Sequence, residues 1–216
     1  TQVKALTTSQ IAAFNTLQAS DLTTSFVKSL STSQVAALET RDVAVMSAAS
    51  IAALSSTQWA AMTTAQITGL TTQQVNELNT SSLKSLSTKQ IAAIEATDLA
   101  VIGVEIFAGF NSAQVRALNT TQISGLTTNQ LAGLNSSWVS SLSTTQLRSL
   151  EATKLNVLDA VSLAAISEAQ IVGLTTAQIA GLSNSTIESL STVAVAALRT
   201  TQIAAITTAQ AVALVD

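Results

Sequence analysis

The residues equipped for chemistry are few. Carboxylates recur in pairs, Glu39/Asp42 and Glu95/Asp98. With backbone carbonyls, each pair could bind a cation. At helix N-termini the same acids simply complement the dipole. Lys154 replaces the second acid in a third copy, Glu151/Lys154, which favours the dipole reading. Ser and Thr hydroxyls are plentiful, but a hydroxyl is no nucleophile without a base, and the chain has no His and no Cys. The usual bases, nucleophile partners and soft metal ligands are therefore missing. No Gly-rich phosphate loop is present. Trp59 and Trp138 are candidate ligand platforms. Trp59 falls on an apolar ladder described below and reads as core. Trp138 replaces a Gln and aligns with Phe26, so Trp138 and Phe26 are the candidate surface contacts. No catalytic, cofactor-binding or metal residue is assigned, and the expectation is that the chain is not an enzyme.

Composition narrows the partners. Charged residues are 10% of 216, against about 25% in a typical soluble domain. Net charge is −3, so there is no basic patch for nucleic acid and no polybasic membrane anchor. The most hydrophobic stretch, "LAVIGVEIFAGF" from Leu99 to Phe110, is short and holds Glu105, so no membrane insertion is expected. Zero Cys excludes disulfides and leaves the redox compartment open.

What must position these residues is a repeat of eight. From Leu6 to Leu214, every eighth residue is Leu, Ile, Met or Phe, at all 27 positions. Three residues before each lies a second ladder, Val3 to Ala211, apolar at all 27 positions. The octad is numbered T-T-x-Q-I-x-A-L, positions one to eight. Position one is Ser, Thr, Asn or Asp in 21 of 26 full octads, position four is Gln in 16 of 27, and position seven is Ala, Gly or Ser in 22 of 27.

Few backbones accept this period. In one continuous α-helix, eight residues overshoot two turns by about 80°, so the apolar stripe would wind around the helix and face no single partner. In a strand, spacings of three and five would point the ladders to opposite faces. A β-solenoid survives only with a turn between them, and Ala and Gln are poor strand formers. A short helix per octad fits every position. Position one is the N-cap, and Gln at position four reaches back to the cap N–H, which is a capping box. Position eight of the preceding octad and position five form the hydrophobic staple. A small residue at position seven lets the chain turn or lets neighbouring helices approach. Such a helix cannot stand alone, since isolated helices below about 12 residues are marginal. The expectation is an all-α solenoid of very short capped helices, one per octad, with a β-solenoid as the alternative.

A second period runs inside the first. "ETRDVAVM", "EATDLAVI" and "EATKLNVL" start at Glu39, Glu95 and Glu151, seven octads apart, and each carries Val at position seven. Duplication of a seven-octad cassette explains this. So does geometry, if seven octads close a whole number of turns, for example two turns of three and a half octads.

"LTTAQIAGL" (Leu174 to Leu182), "TTQIAAI" and "LSTSQVAAL" resemble the LTTxQxAAL-like octads of large bacterial secreted proteins, the RTX-type and haem utilisation or adhesion proteins. The resemblance spans the chain and carries no catalytic residue. It implies an extracellular or cell-surface role as spacer, stalk or assembly module. Residues 1–216 read as a single repeat solenoid, a fragment of a longer array, because "TQVKAL" starts inside a phrase without a leader. Positions three and six, expected to be exposed, are mostly Ala, Ser and Thr, and such a weakly charged surface is poorly protected against association. The expected partners are itself, through lateral or end-to-end assembly, or flanking domains of a longer chain. A self-assembling extracellular filament or surface layer and a partner-binding solenoid are the alternatives to a spacer.

Leu174→Ala should cost about 2–5 kcal/mol through the core, and Thr175→Ala about 1 kcal/mol through the cap, in urea unfolding. A harmless Leu174→Ala would break the packing scheme.

Overall fold

The structure is a computed structural model that describes residues 2–214. A short 3-10 helix, Gln2–Ala5, precedes 26 α-helices running from Thr8–Ala12 to Thr208–Ala213. Each octad thus forms one helical element, and the described residues contain no strand. The chain is an all-α solenoid, and the β-solenoid alternative is set aside.

Each helix begins as its octad dictates. Thr175 Oγ1 accepts from the Gln178 N–H at 3.1 Å, and the Thr175 N–H donates to Gln178 Oε1 at 2.9 Å. A capping side chain accepts in all but five of the 26 α-helices. The five begin after Glu39, Glu95, Gly103, Glu151 and Arg199, the positions where the sequence lacks Ser, Thr, Asn or Asp.

Each helix also ends within its octad. The N–H of Leu182 bonds to the Ile179 carbonyl at 3.2 Å, a tightened last turn. Leu182 itself is extended (φ −66°, ψ 141°), and so is the next cap, Ser183 (φ −70°, ψ 159°). Two consecutive extended residues make the corner. No described residue, glycine included, has positive φ. Position-seven glycine is therefore not needed for turning.

It is needed for close approach. A Cβ on Gly181 would stand 2.6 Å from Ala152 Cβ, and one on Gly173 would stand 2.9 Å from Thr144 Cβ. Ala152 opens the helix Ala152–Leu155, which packs against Thr176–Gly181. Thr144 likewise opens Thr144–Arg148, which packs against Glu168–Gly173. In each case the end of one helix meets the start of an earlier one.

The chain divides into two compact units, Thr1–Gly109 and Phe110–Asp216. Both obey one stacking rule: a helix packs on the helix three octads before it and on the one three octads after. In the first unit, Thr40–Val45 packs on Thr16–Ser20 and Thr64–Thr68. In the second, Glu168–Gly173 packs on Thr144–Arg148 and Thr192–Ala196. Positions five and eight line the interior of each unit. Val35, Leu38, Trp59 and Phe107 in the first, and Val139, Leu142, Ile179 and Leu182 in the second, are all buried. Position three is exposed in every octad from Ser9 to Ala209.

Gly181→Ala separates the two roles of the small residue. Helix propensity alone predicts a gain of about 1 kcal/mol. Contact with Ala152 predicts a loss of about 1–3 kcal/mol, because neither Cβ can rotate away. A lowered urea midpoint is the expected result.

Candidate functional site

The chemistry-bearing side chains of this fold gather at position four. Gln66 shows the arrangement. Its Oε1 accepts from the Thr63 N–H at 2.8 Å, which is the back-cap expected from sequence. Its Nε2 also donates to the carbonyls of Val35 and Leu38, at 2.8 and 2.7 Å. These acceptors belong to the octad four places earlier, 31 and 28 residues back. Gln66 is only 1% exposed, so these bonds lie in the interior.

The pattern recurs with the same two offsets. Gln34, Gln58, Gln74 and Gln90 repeat it in the first unit. Gln146, Gln170, Gln178, Gln202 and Gln210 repeat it in the second. Other bonds between coils span slightly shorter distances. Asn156 Nδ2 donates to the Gly181 carbonyl over 25 residues, and the Ser183 N–H donates to Asn156 Oδ1 over 27. One coil is therefore about 28 residues, or three and a half octads. Of the two readings of the seven-octad period, the geometric one fits. Seven octads make two coils and return an octad to its own face.

The half-octad stagger explains why the amide finds these carbonyls. The N-terminal turn of one helix overlies the C-terminal end of a helix in the coil beneath. Helix C-termini leave carbonyls without intrahelical donors. The glutamine amide supplies the donor to the position-eight carbonyl and a second donor to the position-five carbonyl, which already accepts from the position-eight N–H, as a C-cap delivered from the next coil.

Several residues that replace Gln follow the same rule. Ser50 Oγ donates to the Leu22 carbonyl at 2.6 Å, and Ser162 Oγ to the Leu134 carbonyl at 2.9 Å, both 28 residues back. Lys154 Nζ donates to the Leu126 carbonyl at 2.9 Å and to that of Ser124. Lys154 is thus a donor in the slot that Gln occupies elsewhere.

The acidic pairs do not converge on a cation. Glu39 is exposed and pairs with Arg41, whose Nε lies 2.7 Å from Glu39 Oε2 and 3.7 Å from Asp42 Oδ1. Asp42 is fully buried, and neither of its carboxylate oxygens has a hydrogen-bond partner. Burial pushes its carboxyl above the ordinary value, Arg41 pulls it back and Glu39 adds to the rise. Asp98 accepts from Thr72 Oγ1 at 2.7 Å. Neither Glu39 nor Glu95 caps its helix through its side chain. Among the described residues, no group of three or more His, Cys, Asp or Glu side chains could hold a metal ion.

The aromatic candidates are placed differently. Trp138 is only 2% exposed, so it is a core residue and offers no ring face to a partner. Its place at a Gln position suggested the surface, but position four faces inward. Phe26 is half-buried and packs on Phe14, with ring centroids 6.0 Å apart. Trp59 is core, as its ladder position required. In the second unit, a mostly apolar concavity lined by Glu188, Leu190, Thr192, Val195, Ala196 and Ala213 has a single ionisable group, Glu188.

Parts of the sequence match a known repeat. The family model of the ALTTAQ repeat matches residues 35–72, 91–128 and 107–136. The chain is a repeat array. The matched stretches are similar to ALTTAQ repeats, and the match concerns the repeat itself. It gives no support to an RTX-type, haem utilisation or adhesion affiliation. No curated protein matches the chain.

The inward donors were missed by the sequence reading, which gave Gln a capping role only. A signal was present. A capping box accepts Glu as readily as Gln, yet Glu never stands at position four. An acceptor-only side chain cannot serve two carbonyls.

Gln66→Leu should therefore cost about 2–4 kcal/mol, because the buried Leu38 carbonyl and the Thr63 N–H lose their partners, while the Val35 carbonyl keeps only the Leu38 N–H. Gln10 is the control: it is exposed, and its side chain bonds among the described residues only through Oε1. Gln10→Leu should cost about 1 kcal/mol or less. Equal losses in urea unfolding would reduce the amide to a cap.

Proposed function

We propose that the chain is a structural, non-catalytic repeat module, acting as spacer or stalk in a secreted or cell-surface bacterial adhesin-like protein. One observation carries the structural part. In both units, coil is joined to coil by the same interior amide bonds at the same offsets. A fold whose polar side chains are committed to joining its own coils has little chemistry left for a substrate. The all-helical repeat fold favours a non-enzymatic role for the same reason. The bacterial, secreted and adhesin-like part rests on the resemblance of "LTTAQIAGL" and its relatives to octads of such proteins. No helix among the described residues is long and apolar enough to cross a membrane.

Self-assembly into an extracellular filament or surface layer is the second reading. The surface favours it at specific points: Leu17 is 77% exposed and Val161 70%, both at position three. A chain with 10% charged residues does little to oppose association. A partner-binding solenoid is the weaker third reading, since of its two aromatic candidates only Phe26 reaches the surface, and only in part.

Sedimentation velocity over a wide concentration range separates the first two. A spacer stays monomeric. A filament subunit grows with concentration and loses that growth in the double variant Leu17→Lys/Val161→Lys. Antibody labelling of intact producing cells tests the location, and signal only after lysis would overturn a surface role.

A further inference from the structure

Position four is a donor slot. Most of its amides, the hydroxyls of Ser50 and Ser162 and the Lys154 ammonium are directed at carbonyls of the coil beneath, while Ser82 and Thr186 bond within their own octads. Two acids stand in this slot in the first unit, Asp42 and Asp98. Asp98 accepts from the Thr72 hydroxyl. Asp42 is fully buried, with both oxygens unpartnered. By the offsets that Gln66 shows, the carbonyls beneath it are those of Phe14 and Ile11, and the Ile11 carbonyl already accepts from the Phe14 N–H. An ionised carboxylate has no donor for a carbonyl, and an acceptor buried without a partner is destabilising.

We propose that Asp42 is a proton-operated joint between coils: as a neutral acid it donates its single O–H to the Phe14 carbonyl beneath, and as a carboxylate it loosens that junction. A carboxylic acid carries one donor and so completes the slot as Ser50 does. A metal ion fits less well. The slot holds one carboxylate, and the Arg41 guanidinium already stands 3.7 Å from Oδ1. Arg41 is largely exposed and engages Glu39 at closer range, so it compensates the Asp42 charge only in part.

The neighbours keep the titration simple. On its own helix, Asp42 is accompanied by Arg41, with Glu39 at the cap. The helix packed before it, Thr16–Ser20, has no titratable side chain and ends at Asp21. The helix packed after it, Thr64–Thr68, has none. Thr72–Asn76, whose Gln74 caps the Asp42 helix, has none and ends at Glu77. Thr8–Ala12, which supplies the Ile11 carbonyl, has none. Burial raises the Asp42 carboxyl above its ordinary value, in the direction the joint requires. The linkage sign follows: a group raised in the folded state lends stability below its unfolded value and loses it as pH rises through the folded one.

The test compares the whole chain with Asp42→Asn and Asp42→Gln in urea unfolding from acid to neutral pH. Carbon-13 NMR of the Asp42 carboxyl reads the titration directly. The expected result is a wild-type midpoint equal to that of Asp42→Asn at the acid end. It then falls behind as pH rises from about 4, the unfolded aspartate value. Asp42→Gln, which restores the amide, should remove the fall. An Asp42 carboxyl that titrates in the ordinary range, with a wild-type profile parallel to both variants, overturns the joint. So does a wild-type midpoint at neutral pH that calcium or sodium chloride raises while leaving Asp42→Asn unmoved, which would assign the slot to a metal ion.

Discussion

A glutamine amide presents an acceptor oxygen and two N–H donors, and here all of them are used on two different coils. The oxygen closes the N-terminus of its own helix, while the nitrogen closes the C-terminus of a helix laid down about 28 residues earlier. Helices of four to six residues have almost no intrahelical bonding to spare. Their ends must be satisfied from outside, and buried ends cannot use water. The position-four amide meets that need from a single atom group. The coil spacing, the stagger and the burial of position four are the geometry that lets it do so.

That constraint also explains which substitutions the array carries. Ser50, Ser162 and Lys154 replace Gln and each keeps a donor toward the carbonyl beneath. Trp138 is accommodated as core rather than as surface. Asp42 keeps burial but, when ionised, gives up the donor; no hydroxyl bonds to it as the Thr72 hydroxyl bonds to Asp98, and Arg41 offsets its charge only in part. Chemistry in this chain is thus structural chemistry, concerned with joining coils.

Because the side-chain bonds between coils span 25 to 31 residues, each coil leans on its immediate neighbours rather than on distant parts of the chain. Cohesion of this kind is local and repeatable, which is the physical basis of solenoids. It suits a module whose copy number can change by whole cassettes, and it agrees with a seven-octad period equal to two coils.

Much of this was legible in the amino-acid order. Capping, stapling and the helical state of each octad are interactions between residues at most a few positions apart, so Thr175, Gln178, Leu174 and Ile179 declare them directly. The two apolar ladders likewise declared the core. The sequence left open whether glycine serves the turn or the approach, and only the position of Ala152 beside Gly181 decided it. The second role of Gln, the burial of Trp138 and the predicament of Asp42 depend on what lies one coil away. An eight-residue period does not reveal how many octads make a coil, because that number is set by how the coils pack. Local order determined the helices. The tertiary stack determined which of their polar atoms face inward, since a buried carbonyl must find its donor in whichever coil lies above it.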